Sequence, residues 1–296
     1  ANTVQSIFRV FSAQSLIPAT ASRRGPKTIL ELSPADKNQL NPSMEGTNSN
    51  LQTVICLKWG DRYGPEFVNR LYAMVRRNTR RPLRFVCITD DTGSLEEGIE
   101  TLPMPDFDLP ETFRYKGFRR MFLFKETLYD LEGDVLHLDL DLIVTGSIDD
   151  FFDHQPKAEY IVAENWTQPG AGIGNMSVFR YRIGSLTKIW DRFSADPLSM
   201  LEQYTNSQTF CSRTLGQFEM YPPQWCTGFK TELIPAWPMR YFIEPKRPPA
   251  EAKIVAFTGK PDMDEALRGK WPETRLRKKF YKRIRPAKWI EEYWRL

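Results

Sequence analysis

Two aspartates, Asp139 and Asp141, interrupt an otherwise apolar run, VLHLDLDLIV at 135–144. Alternate side chains of a strand share a face. The two carboxylates therefore point one way, and Leu136, Leu138, Leu140 and Leu142 point the other, into a core. Two carboxylates held together repel, and burying them unpaired is costly. A bound divalent cation removes that cost. Hard oxygen ligands suit Mg²⁺ or Mn²⁺, and both ions also take phosphate oxygens. The alternative is a strand-end acid pair without metal. The string continues into SIDDFF, where Asp149 and Asp150 read as a surface turn or helix start. His137 shares the aspartate face but lies deeper in the strand, and reads as a core histidine.

Other groups fit a phosphate-bearing ligand. Lys58 and Arg62 lie near the end of TVICLK (53–58), where ligands of open α/β sheets gather. In the loop WGDRYG (59–64), Tyr63 either stacks on a base or packs the loop, and Asp61 either accepts from a base N–H or is structural. Lys260 follows Gly259, so its ammonium and nearby backbone N–H groups either meet a phosphate or form ordinary surface. Trp59, Trp166 and Trp225 serve either as sugar-stacking faces or as packing.

Composition excludes rivals. The chain has 296 residues, 41 basic and 37 acidic side chains, a net charge of +4, four Cys and two His. Two His, His137 and His154, exclude a His-rich metal centre and leave little room for Ser-His or Cys-His catalysis. The four Cys form no CxxC and read as free thiols, Cys56 and Cys87 buried in strands, in a reducing, cytoplasmic setting. The small net charge argues against a nucleic-acid partner. No apolar run reaches the roughly 18–20 residues of a membrane helix.

The elements that position these groups alternate. TVICLK reads as a buried strand. Pro65 opens a helix with Phe67, Val68, Leu71 and Val75 on one face. LRFVCIT (83–89) is the next strand, so the pair is parallel with a right-handed crossover. Residues 91–112 read as loop, about 118–131 as a helix, and 135–144 as one strand. Strands follow at 159–164, 175–181 and 253–258, with helices at 184–193 and about 198–214. This is an α/β domain with a mostly parallel sheet flanked by helices.

These segments, in this order, resemble the GT-A-fold (Rossmann-related) glycosyltransferases, above all the family 8-like bacterial enzymes. The DLD string resembles their nucleotide-sugar site. KWGDRYGPEFVNRLY (58–72) resembles the nucleotide-holding first strand and loop, and RRPLRFVCITDD (80–91) the second strand. GFRRMFLFK (117–125) resembles the helix whose basic residue, here Arg120, reaches the diphosphate. GNMSVF (174–179) resembles the Asn segment beside the donor sugar, and FTGKP (257–261) the late phosphate loop. The resemblance implies a single α/β domain at 51–267 that binds a nucleotide-sugar donor, most simply a UDP-sugar, with Mn²⁺ or Mg²⁺ on Asp139 and Asp141. It implies that Lys58, Asp61, Tyr63, Arg120 and Lys260 hold the nucleotide diphosphate. It makes Asn175 and Gln208 the catalytic candidates that position the donor sugar, with Gln208 near the anomeric carbon, and implies transfer with retention to a saccharide or glycolipid acceptor. The sequence departs from the family twice. Thr258 stands where a metal-binding His is usual, and Ser207 where an acid precedes the Gln.

The flanks differ. Residues 1–50 are rich in Ser, Thr, Asn and Pro and read as a poorly ordered arm. Residues 268–296 carry 11 Lys or Arg, three Glu and six aromatics, and read as two short helices divided by Pro286. Either their aromatics pack on the domain or they meet an anionic membrane peripherally. Two other readings remain open. One is a nucleotide-sugar-binding protein that has lost turnover, supported by Ser207 and Thr258. The other is a nucleotidyltransferase, for which WGDRYG is a poor Gly-rich loop.

Overall fold

Among the described residues, seven strands form one sheet in the order β3 (Ile99–Pro103), β2 (Leu83–Thr89), β1 (Gln52–Lys58), β4 (Asp134–Leu138), β7 (Gly174–Arg182), β6 (Tyr160–Glu164) and β8 (Glu219–Met220), and a second sheet of three runs β5 (Leu142–Val144), β10 (Ile254–Ala256) and β9 (Cys226–Gly228). The structure is a computed structural model that describes residues 50–106, 109 and 117–296. The expected arm at 1–50 lies outside the described residues except for Asn50.

β1 (Gln52–Lys58) is buried throughout, with Val54, Ile55, Cys56 and Leu57 at its centre, as a strand of a sheet covered on both faces should be. α1 (Pro65–Arg77) starts on Pro65, with Glu66 in its first turn and Arg76 and Arg77 in its last, all matched to the helix dipole. Its stripe of Phe67, Val68, Leu71, Met74 and Val75 is buried. β2 (Leu83–Thr89) pairs parallel to β1. β3 (Ile99–Pro103) pairs parallel to β2 inside the segment expected to be loop. As an edge strand it has no fully buried position, so its apolar signal is weak.

A 3₁₀ helix spans Gly117–Phe124. The expected helix to residue 131 ends there because the chain turns back, with Tyr129 at a φ of 54° and Leu131 N–H bonded to Leu128 O. Phe118 of this helix packs on Phe193 and Phe210, at 5.9 and 6.0 Å between ring centres. Those rings belong to α3 (Thr187–Ala195) and α5 (Ser207–Leu215). The single helix expected near 198–214 is two, α4 (Pro197–Gln203) and α5, because Asn206 caps a fresh start by accepting from Thr209 N–H at 2.9 Å.

The strand expected at 135–144 is broken. β4 (Asp134–Leu138) lies between β1, to which it is parallel, and β7 (Gly174–Arg182), to which it is antiparallel. β5 (Leu142–Val144) pairs instead with β10 (Ile254–Ala256) of the small sheet. Asp139 and Asp141 sit in the crossing between the two sheets. The crossing keeps its backbone satisfied: Asp139 N–H donates to Ser177 O at 2.9 Å, and Phe257 N–H donates to Asp141 O at 2.8 Å. Leu136, Leu138, Leu140 and Leu142 all join one core, as the alternation requires.

After β5 come α2 (Asp149–Asp153) and β6 (Tyr160–Glu164), the second antiparallel to β7. The Asp149–Asp150 pair opens α2 as a helix start. β8 (Glu219–Met220) and β9 (Cys226–Gly228) are too short to show in the sequence. α6 (Met263–Leu267) follows β10.

The basic C-terminal segment contributes α7 (Leu276–Lys279) and α8 (Ile290–Tyr293). Trp289 and Trp294 are buried in the core, the second with Arg70 stacked over its ring at 4.0 Å. Phe280 and Tyr281 are exposed. All four cysteines are free and buried. Among the described residues, no helix is long and apolar enough to cross a membrane.

Candidate functional site

Chain order places β2 and β3 on one side of β1 and β4 on the other. The C-terminal ends of β1 and β4 therefore border a switch point, where a crevice opens in sheets of this kind. A cleft of about 110 Å³ lies there, lined among others by Lys58, Trp59, Arg62, Tyr63, Arg120, Asp139 and Asp141. Five of the nine residues that the resemblance assigns to the site, Lys58, Tyr63, Arg120, Asp139 and Asp141, thus line one cleft.

Arg120 is buried and anchored twice. Its guanidinium donates to Met176 O at 2.5 Å and pairs with Asp139 at 3.1 Å. Tyr63 Oη donates to Asp141 Oδ2 at 3.4 Å. One face of the Tyr63 ring packs on Phe67, and the Arg62 guanidinium lies over it, which is the loop-packing arrangement. Burial, then the Asp141 charge, raises the Tyr63 phenol, so it stays a donor. Lys58 pairs with Asp91 at 3.3 Å.

Asp141 is the electrostatic oddity. Burial, then the neighbouring Asp139, pushes its carboxyl up to about 7. His137 is stacked on Phe179 at 4.6 Å between ring centres, and burial brings its imidazole down to about 3. It is a neutral core histidine.

Asn175, in β7, and Gln208, in α5, both bond to an irregular stretch of β7. The register with β6 shifts there, between Val162–Phe179 and Ala163–Asn175. Asn175 Oδ1 accepts from Ser177 N–H at 2.9 Å, and Gln208 Oε1 accepts from Met176 N–H at 3.2 Å. Both amides therefore hold the same backbone that anchors Arg120 and Asp139. Ser207 is buried against Gly117, where a Cβ would come within 2.6 Å of its hydroxyl.

Asp61 is exposed and outside the cleft lining. Lys260 is turned to the first turn of α6, bonded to Asp262 and Glu265 at 2.5 and 2.7 Å. Burial opposes its charge, but those two carboxylates outweigh it and raise its pKa. Thr258 accepts from Trp166 Nε1 at 3.2 Å. Two residues escaped the sequence reading. Asp262 is buried with Oδ1 unbonded, although the D-M-D-E spacing of a helix start was legible. Lys230 carries no local signal at all. Trp225 packs on Phe151, Tyr221 and His154, away from the cleft.

The donor set fits a hard divalent cation that arrives with its ligand. Mg²⁺ and Mn²⁺ commonly take one or two carboxylates and fill the rest of their shell with water and phosphate oxygens. A cation would offset both the burial and the Asp139 repulsion that raise the Asp141 carboxyl. Among the described residues no group of three or more His, Cys, Asp or Glu forms a closed site.

No protein-family model and no curated protein matches this sequence. Solved structures do. The glycosyltransferase GlyE of Streptococcus pneumoniae TIGR4 aligns with a TM-score of 0.50 and 17% identity, covering 81% of this chain and 63% of that one. The bifunctional glycosyltransferase WbbM, in its apo structure, gives 0.51 and 9%, covering 74% and 48%. The galactosyltransferase LgtC, in complex with donor and acceptor sugar analogues, gives 0.49 and 14%, covering 72% and 89%. This chain, with a mixed, mostly parallel sheet flanked by helices and a cleft at its switch point, has the GT-A glycosyltransferase fold.

Proposed function

We propose that the chain is a glycosyltransferase that moves a sugar from a nucleotide-diphosphate donor, a UDP-sugar, to a saccharide or glycolipid acceptor with retention. The observation that carries this reading is the single cleft that gathers Lys58, Arg62, Arg120, Asp139 and Asp141 at the switch point of this fold. Mn²⁺ or Mg²⁺ on Asp139 and Asp141 would supply Lewis-acid stabilisation of charge on the departing diphosphate. Arg120, fixed by Met176 O and Asp139, offers charge without reorganising. Asn175 and Gln208 set the backbone that the donor sugar would lie against.

A groove of about 320 Å³ is lined by Glu164, Trp166, Pro222, Pro223 and Glu232. An indole edge with carboxylates suits a saccharide acceptor. Exposed Phe280 and Tyr281 among the basic residues of 275–285 would suit a membrane-borne acceptor, met peripherally from the cytoplasm. A binding protein without turnover is the second reading, favoured by Ser207 standing where the resemblance expects an acid and by Thr258 being tied to Trp166.

Calorimetric titration with a panel of nucleotide sugars, with and without Mn²⁺, tests the donor. Binding that tightens at least tenfold with Mn²⁺ supports the reading. Equal affinity for nucleotide sugars and plain nucleosides would contradict it. The pH dependence adds a second readout. A proton on Asp141 competes with the cation, so Mn²⁺ affinity rises by about tenfold per pH unit up to pH 7 and then levels. Without cation the sign reverses for stability. The folded carboxyl titrates above its usual 3.8, so stability is lost as pH rises through about 7. Melting curves at pH 5 and 8 should show that loss, and Mn²⁺ at pH 8 should restore it.

A further inference from the structure

Lys230 lies in a helical turn, Phe229–Leu233, that follows β9 directly. Strand pairing decides where it points. β9 runs parallel to β10 with Gly228 opposite Ala256, and β10 runs antiparallel to β5 with Ala256 opposite Leu142. Three chain segments therefore meet at one end of the small sheet's strands: Lys230 after β9, Thr258 and Gly259 after β10, and Asp141 before β5. Phe229 stacks on Phe257 at 4.3 Å between ring centres and locks the first two together. A Cβ on Gly259 would lie 3.5 Å from Lys230 Nζ, and Gly259 holds a φ of +72° that a side chain would strain. The loop thus presents bare backbone to an ammonium.

The other cations around this site are committed. Lys58 pairs with Asp91, Arg120 with Asp139, Arg62 with Asp262, and Lys260 with Asp262 and Glu265. Among the described residues, Lys230 Nζ makes no hydrogen bond and no ion pair. It is half-buried, and it feels the carboxylates of Asp141 and Asp262 as well as the like charge of Lys282. Burial, then Lys282, lowers its pKa. An arriving anion therefore relieves a cost rather than breaking a pair.

We propose that Lys230 is a donor-diphosphate-binding residue, delivering its ammonium across Gly259 to phosphate oxygens beside Asp141. This rests on the glycosyltransferase reading and sharpens it. Where the resemblance expects a metal-binding imidazole, this chain has Thr258, tied to Trp166. A fixed cation nearby supplies part of the neutralisation that a third metal ligand would have secured. Diphosphate binding in this protein accordingly keeps a component that needs no metal.

The test is calorimetry on the full chain in EDTA, with inorganic pyrophosphate, UDP and uridine as probes. Lys230→Met should weaken pyrophosphate and UDP at least tenfold in EDTA and by less under saturating Mn²⁺, with uridine unchanged. Lys230→Arg should stay within about threefold of the parent, since it keeps the charge. Lys230→Gln serves as the neutral variant if the methionine form melts early. Parental pyrophosphate affinity in both neutral variants overturns the proposal, as does a parent chain that binds no pyrophosphate in EDTA. A parent that binds pyrophosphate through Lys230 but no nucleotide sugar sinks the transferase reading and leaves the anion site standing.

Discussion

Asp141→Asn is expected to abolish metal-dependent donor binding and to cut sugar transfer roughly a thousandfold, about 4 kcal/mol of lost transition-state stabilisation. The substitution is isosteric, and the amide oxygen still accepts from Tyr63 Oη. Its effect should therefore be chemical, not steric. The same change removes a carboxyl that burial and Asp139 penalise. Without cation, the variant should melt at or above the parent at pH 8. Opposite signs for stability and activity mark a residue kept for its site at a cost to the fold. A variant that retains Mn²⁺-dependent donor affinity would overturn the assignment of Asp141 as a cation ligand. A variant that simply unfolds would show the residue to be structural.

Arg180→Met is expected to give the largest loss of stability. Arg180 sits in β7 with no exposed surface. Its guanidinium donates to the carbonyls of Phe151, Phe152 and His154 through one nitrogen and of Gln155 and Ala158 through the other. It thereby closes the C-terminal end of α2 and the turn after it, whose carbonyls lack helical partners. Methionine fills the volume but strands those acceptors. The cost is about 3 kcal/mol or more, which for a chain of this size lowers Tm by roughly 6–12 °C. Metal-dependent donor binding, measured well below Tm, should persist, because Arg180 lies outside the cleft lining. A Tm within about 2 °C of the parent would mean that water replaces the guanidinium.

Local signals marked the first half of the fold. Pro65 fixed the start of α1, and the unbroken apolar runs at 53–58 and 83–89 read as parallel strands because both faces of the sheet are covered. The aspartate pair was legible from residue type alone. The break between β4 and β5 was not, because the period-two alternation of Leu and Asp runs unchanged through the crossing. Nothing local announces that residues 142–144 change sheets, since that choice belongs to β10. Lys230 was hidden for the same reason: the pairing of β9 with β10 and of β10 with β5 brings it to Asp141. Lys260, which sits in the more suggestive motif, instead neutralises Asp262 and Glu265. β3 was missed because an edge strand buries too little to need an apolar run.

Turnover tests the central claim most directly. The full chain, incubated with a panel of UDP-sugars and Mn²⁺ at pH 8, where Asp141 favours the carboxylate, should release free UDP from one donor, with the sugar appearing in water or on an added saccharide. Mass spectrometry of the mixture reads both products. UDP release that Asp141→Asn eliminates is the predicted result. Tight Mn²⁺-dependent binding of a UDP-sugar with no UDP released, from any donor in the panel and with any saccharide present, would contradict the account and leave a binding protein on a glycosyltransferase fold.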